Sequence, residues 1–169
     1  MTLVERELRP GDAEPLAALV RACDETYRAW LPSGWTPPEI GADWTARFSE
    51  PDRWSLVIDE DGEIAGFISF RPAHEEASPG RRAGALLPGV AHVGAVLVHP
   101  SRWRQGIAAR MLAQAEEAMR AAGYERALLW TPEGAPAERL YAAQGWERDG
   151  RRAWHDWAGL TVVGYAKRL

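Results

Sequence analysis

The sequence predicts a mixed α/β or α+β fold, a single sheet with helices on its faces, and three observations lead there. Segments with strand and helix character alternate along the chain without an internal repeat. The two strongest helical stretches are each closed by a glycine, Gly123 and Gly145. With 169 residues, of which 46% are hydrophobic, the chain matches the usual size of one domain and can bury one core, so residues 1–169 are expected to form a single domain.

The elements follow in order. Residues 3 to 9 read as a short strand, and Asp12 stands where a helix cap would. Behind it Leu16, Leu19, Val20, Cys23 and Tyr27 recur at helical spacing. The stretch "RAWLPSGWTPPEI" reads as a loop, with a short helix near "GADWTARF". "WSLVI" and "EIAGFISF" flank "DEDG", the signature of a hairpin with a glycine-bearing turn. "RPAHEEASPGRRAGALLPG" is crowded with glycine, proline and charge and reads as a long mobile loop. A strand is expected at 91–98, a helix at about 105–122 and a strand at "RALLW". A helix at 136–144 begins at Pro136, a favoured first-turn residue, and the tail from Arg151 reads as two more strands.

Composition excludes several functions. A net charge of −4 offers no overall basic field for nucleic acid, so a polyanion needs a local site. Cys23 is the only cysteine, which rules out an internal disulfide and any multi-cysteine metal site. The first residues are charged and no apolar run approaches membrane-spanning length, so a cytoplasmic protein without a membrane partner is expected.

The stretch 98–112, "VHPSRWRQGIAARML", carries the most chemistry. In the helix that follows it, Ile107, Met111, Ala115, Ala118 and Ala122 form one stripe to pack on a sheet. That packing holds the first turn beside the end of the preceding strand, with the amides of residues 104–108 unpaired. Free amides and the positive helix end attract anions. Gly106 keeps a side chain out of the way of a phosphate, and Arg104 adds a charged donor. A pyrophosphate is the expected ligand. Neither phosphate motif of nucleotide hydrolysis or dinucleotide redox chemistry, G-x-x-x-x-G-K-[ST] or G-x-G-x-x-G after a strand, occurs in the chain. The serine elbow G-x-S-x-G of acyl-serine hydrolases is missing as well.

"AHVGAVLVHPSRWRQGIAARML", followed by "GAPAERLYAAQGW", resembles the GNAT superfamily of acyl-CoA-dependent N-acyltransferases. There the strand ends in V-x-P, the loop reads [QR]-x-x-G-x-[GA], and a later helix carries A-x-x-L-Y before G-[FW]. Val98, Pro100, Gly106 and Ala108 match the first group. Ala137, Leu140, Tyr141, Gly145 and Trp146 match the second. Trp103 departs from the glutamine or arginine that usually opens the loop, and Gly134 from a frequent asparagine.

The resemblance implies a central, mostly antiparallel, twisted sheet of about seven strands, splayed between the fourth and fifth. It implies acetyl-CoA as co-substrate, with Trp103, Arg104, Gln105, Gly106, Ile107 and Ala108 at its pyrophosphate. Val96, Leu97 and Val98 would pair with its pantetheine arm, and Ala137 belongs to the same cofactor set. Tyr141 matches the tyrosine that protonates the departing thiolate. His92 stands where many relatives carry a basic glutamate, and histidine, with an ordinary pKa of about 6.5, suits that task.

Of nine tryptophans, Trp54, Trp130 and Trp146 are expected in the core. Trp30, Trp35 and Trp44 would wall the acceptor cleft, for an apolar, aromatic or cationic amine, or simply plug a small core. His74, Glu75 and Glu76 are adjacent ligand types, but neighbours on a loop do not converge on an ion without a partner elsewhere, so no metal is expected. Arg81, Arg82, Arg151 and Arg152 read as solvated charge. The function expected is acetyl transfer to a primary amine of a small molecule. Acetylation of a protein N-terminus or lysine, and a non-catalytic acyl-CoA sensor, are the alternatives. The resemblance makes a homodimer through exposed final strands possible, while the sequence itself does not fix the oligomeric state.

Overall fold

The computed structural model describes residues 2–169. Seven strands form one mixed sheet: β1 (Leu3–Arg6), β2 (Trp54–Glu60), β3 (Glu63–Ser78), β4 (Arg81–Val98), β5 (Arg126–Pro132), β6 (Glu147–His155) and β7 (Leu160–Arg168), in the order β1-β2-β3-β4-β5-β7-β6. The helices are α1 (Ala13–Glu25), α2 (Ala42–Thr45), α3 (Ile107–Ala121) and α4 (Ala137–Ala143). No described helix is long and apolar enough to cross a membrane. By contacts the chain divides into two compact units, one taking the chain to Ser69 together with Ala95–Ala115, the other Phe70–Gly94 with Glu116–Leu169.

In the first unit α1 buries Leu16, Leu19, Val20 and Cys23 as expected, and Ala17 with them, whereas Tyr27 lies half-buried in the 3-10 turn after the helix. Leu16, Leu19 and Cys23 meet Phe48, Val57, Ile64 and Phe67, with the rings of Phe48 and Phe67 edge to face at 5.1 Å. Asp12 does not cap α1 with its side chain. It accepts instead from the Arg9 amide at 2.6 Å and pairs with Arg6, which also holds Asp59 at 2.8 Å. A nearby guanidinium fork outcompetes the helix amides for this carboxylate.

The "DEDG" hairpin forms as expected. Asp61 and Gly62 have φ of +53° and +92°, as a two-residue hairpin turn requires, and the Gly62 amide donates to Asp59 Oδ1 at 2.8 Å. A Cβ on Gly66 would lie 3.3 Å from Met111 Sδ, so this glycine lets α3 approach β3 closely.

In the second unit the expected mobile loop at 71–89 is a correction. Those residues continue β3 and open β4, joined by a turn at Pro79–Gly80. Burial fades along this ribbon, so the apolar alternation that marks a strand fades with it. Buried Arg71 links the start of the ribbon to its turn, donating to the Pro72 and Gly80 carbonyls.

β4 and β5 pair in parallel from Val90–Arg126 to Val93–Leu129, a short register that fits strands parting beyond it. β5 and β7 run antiparallel over seven residue pairs, Arg126–Arg168 to Pro132–Val162. β6 pairs with β7 and carries a register shift between Arg148 and Arg152.

The buried stripe of α3 is Ile107, Met111, Leu112, Ala115, Glu116 and Met119. Ala122, assigned to it from the sequence, is exposed and lies past the helix end.

Candidate active site

In the first unit, Pro100–Arg102 form a single 3-10 turn directly after β4. Proline fixes φ and withholds a donor, so β4 ends there. His99 holds the turn, its Nδ1 accepting from the Ser101 amide at 3.2 Å and lying 2.7 Å from Ser101 Oγ. Arg104 (φ +63°) and Gly106 (φ +75°) then place two left-handed residues on either side of Gln105. Alternation of this kind lets successive N–H groups converge on an anion.

The first helical hydrogen bond of α3 runs from the Arg110 amide to the Gly106 carbonyl at 3.0 Å, so the amides of Ile107, Ala108 and Ala109 precede the helical ladder. Among the described residues beyond its own chain neighbours, nothing lies within 4 Å of a Cβ built on Gly106. The glycine is therefore demanded by backbone conformation, with open space beside it.

Trp103 is tied to the strand, its Nε1 donating to the Val98 carbonyl at 2.8 Å while the ring stays largely exposed. The same carbonyl accepts from Cys23 Sγ at 3.4 Å, which fixes the end of α1 beside the end of β4. Burial pushes the Cys23 thiol up to about 12 and keeps it protonated, with Asp24 adding to the effect. Val96 and Leu97 are half-buried, and Leu97 packs on Ala17, Val20 and Ile40.

The three tryptophans assigned to an acceptor wall do not form one group. Trp30 and Trp35 both stack about Tyr27, with centroids at 5.2 and 6.0 Å. Trp44 packs instead on Phe48 at 5.8 Å and on both apolar clusters of this unit, beneath the Arg47 guanidinium.

In the second unit, Tyr141 is buried on α4, one ring from Trp146 and another from Tyr165. Burial, and then the neighbouring Tyr165, raise its pKa, so the phenol stays protonated. Ala137 is the first residue of the same helix. His92 is buried with Nδ1 3.7 Å from Glu76 Oε1, and Glu76 also accepts the Trp130 indole N–H at 2.8 Å. Arg151, read from sequence as solvated charge, lies over the Trp130 ring at 4.4 Å and pairs with Asp149. Glu76, considered from sequence only as a metal ligand, is thus the acidic neighbour of His92.

The family model described as "Acetyltransferase (GNAT) family" matches residues 20–146. The chain belongs to the GNAT acetyltransferase family. Solved structures share its fold, at identities where the likeness speaks for the fold alone. A GNAT-family protein from Desulfovibrio desulfuricans is 19% identical with a TM-score of 0.72, covering 99% of each chain. The PaiA N-acetyltransferase from Thermoplasma acidophilum, in complex with coenzyme A, is 16% identical with a TM-score of 0.68, covering 100% of each. A ribosomal-protein-alanine N-acetyltransferase from Brucella melitensis is 18% identical with a TM-score of 0.69, covering 99% of this chain and 100% of that one. No curated protein matches.

Asp24 is the group that sequence reading missed. Burial pushes this α1 carboxyl up to about 7, with Glu25 adding to it. One of two adjacent acids at the end of a helix gives no signal of that kind; only its place one turn after buried Val20 could have marked it.

Proposed function

We propose that this GNAT acetyltransferase acts as one domain, residues 1–169, to move an acetyl group from acetyl-CoA to a primary amine of a small molecule. The amine attacks directly and no covalent enzyme intermediate forms. The observation that carries the reading is the turn-and-loop at 100–106, whose two left-handed residues lead into the open amides of α3.

Those amides, with Trp103, Arg104, Gln105, Gly106, Ile107 and Ala108 around them, suit a pyrophosphate. Val96, Leu97 and Val98 suit a pantetheine arm added as a strand. Because the Val98 carbonyl already serves Cys23 and Trp103, its bonds fall chiefly on Val96 and Leu97. The amide near Leu97 would face the oxygen that gains charge as the nitrogen attacks. Ala137 completes the cofactor set.

Acetyl-CoA supplies the activated thioester, and the protein supplies the protons' destinations. Tyr141, held protonated by its burial, gives a proton to the leaving thiolate. His92 takes one from the amine, and the Glu76 carboxylate at 3.7 Å favours the charged imidazolium that results.

Trp30 and Trp35, half-buried about Tyr27, favour a compact acceptor over an extended peptide. The acidic net charge, without a basic field, fits no nucleic-acid partner, and a cytoplasmic, membrane-free setting is part of the same reading. Assembly as a homodimer would use the final strands, where Trp154 on β6 and Trp157 in the turn to β7 are 59% and 48% exposed.

Thiol release measured over a panel of amines and peptides tests the proposal. Small amines should outrun peptides, whereas faster peptides would shift the reading to protein acetylation. Calorimetric binding of acetyl-CoA without thiol release from any acceptor would leave a sensor module in its place.

A further inference from the structure

We propose that Glu60, at the end of β2, is a positioning residue for the cofactor: by clamping Arg102 it holds the loop before α3 in its anion-binding shape without touching the anion. The inference rests on the reading above that this loop receives the pyrophosphate, and it adds a residue from a distant part of the chain.

The loop does not hold its own shape. Among the described residues, no hydrogen bond engages the amides of Arg104, Gln105 and Gly106. Arg104 is nevertheless left-handed at φ +63°. In a residue with a side chain this conformation is strained, and it persists only where the surroundings impose it. With no internal bonds, the loop is shaped from its two ends.

The end that enters α3 is fixed by packing. Ile107 and Met111 are buried, and Met111 lies against the Gly66 backbone of β3. The other end is fixed by charge. Arg102, the last residue of the 3-10 turn, donates from Nε to Glu60 Oε2 at 2.8 Å and from Nη2 to Glu60 Oε1, a two-point fork that sets orientation as well as distance. With the two side chains only 24% and 15% exposed, the pair is screened less than one on the open surface.

The carboxylate is itself presented from a braced hairpin. Its neighbour Asp59 pairs with Arg6 and accepts from the Gly62 amide. The His99 amide, donating to the Ala65 carbonyl at 2.8 Å, ties the start of the same turn to β3.

Charge alone and clamping give opposite signs. An acid near a phosphate site repels the phosphate, and a released Arg102 would add a cation, so on charge alone removing Glu60 tightens binding. As a clamp Glu60 does the reverse. Without it the strained loop relaxes into conformations whose amides diverge, and ordering them again weakens the cofactor.

Calorimetry of coenzyme A into wild type, Glu60→Gln, Arg102→Lys and the double variant tests this. E60Q and R102K should each bind about fivefold or more weakly, and the double variant no worse than the weaker single one, because each change breaks the same fork. In thiol release the acetyl-CoA KM should rise by a similar factor, with kcat at saturation within about twofold of wild type. S-acetylpantetheine, which lacks the pyrophosphate, should react equally well with all four proteins.

Unchanged or tighter coenzyme A binding in either single variant overturns the inference. So does an equal loss for S-acetylpantetheine, the mark of general structural damage. R102K, which keeps the charge and loses the fork, decides alone if E60Q does not fold. Failure of wild type to bind coenzyme A, or to prefer it to pantetheine, counts against the proposed function instead.

Discussion

Tyr141 owes its proposed role to its place in the A-x-x-L-Y motif. A phenol packed beside Trp146 and Tyr165 stays protonated in the resting protein, and the same burial makes it a reluctant donor until a strong base such as a thiolate forms beside it. Tyr141→Phe keeps the ring packing and removes only the hydroxyl. Turnover should fall about a hundredfold with coenzyme A affinity retained by calorimetry; equal turnover in the two proteins would end the assignment.

Asp24 is shifted in the same direction with a different consequence. Its carboxyl, raised from 3.8 to about 7, binds a proton more tightly folded than unfolded. Its stabilising contribution is complete below about pH 4 and is lost as pH rises through 7. Asp12 runs the other way: burial alone would raise it, but the hydrogen bonds from Arg6 and the Arg9 amide prevail and hold it low. The melting temperature of D24N relative to wild type isolates the first effect from the second. The difference should grow in favour of the variant between pH 4 and pH 8, and a constant difference would show that the carboxylate is not desolvated.

At the scale of elements, the loop entering α3 combines function with backbone strain. Gly106 has open space around it, so Gly106→Ala meets no clash and tests conformation alone. At φ +75° an alanine should cost about 1 kcal/mol and raise the acetyl-CoA KM by disturbing the amides it leads into. Arg104→Gly, at φ +63°, should instead leave melting unchanged or raise it, because glycine accepts that conformation freely.

The sequence made these parts legible because punctuation marks them: Pro100 and Gly106 before α3, Gly123 after it, and the Asp61–Gly62 turn between β2 and β3. The β3–β4 ribbon was illegible because strands exposed on most of their surface need no apolar alternation. The stripe of α3 was read through Ala118 and Ala122, but the helix buries Leu112, Glu116 and Met119, since a glutamate in a core position looks like solvent-facing charge. Around the candidate site, the left-handed turn before α3 was legible from Pro100 and Gly106. The pairing of Glu76 with His92 was not, because the two residues are 16 apart in the chain and meet only across the folded strands.

For the molecule as a whole, Glu116 shows how an apolar interior accommodates an acid. Buried in the second unit, it accepts from the Trp146 indole at 3.0 Å and from Lys167 Nζ at 2.8 Å, with Arg120 at 3.6 Å. Lys167 also donates to the Gln144 carbonyl at 2.6 Å, so one ammonium joins α3, β7 and the end of α4. Such a network is poor evidence of net stability, because two charges lose their water to form it. Removing one partner is another matter. Lys167→Met leaves the carboxylate with the indole and a half-exposed arginine, and should cost about 2 kcal/mol in denaturant unfolding, below the usual about 3–5 kcal/mol for a broken buried pair because Lys167 is partly solvated. Adding Glu116→Gln to that variant removes the stranded charge while keeping an acceptor for Trp146, so the double variant should be more stable than Lys167→Met alone. If the two losses simply added, Glu116 would not be stabilised through Lys167, and the indole would have to carry the carboxylate unaided.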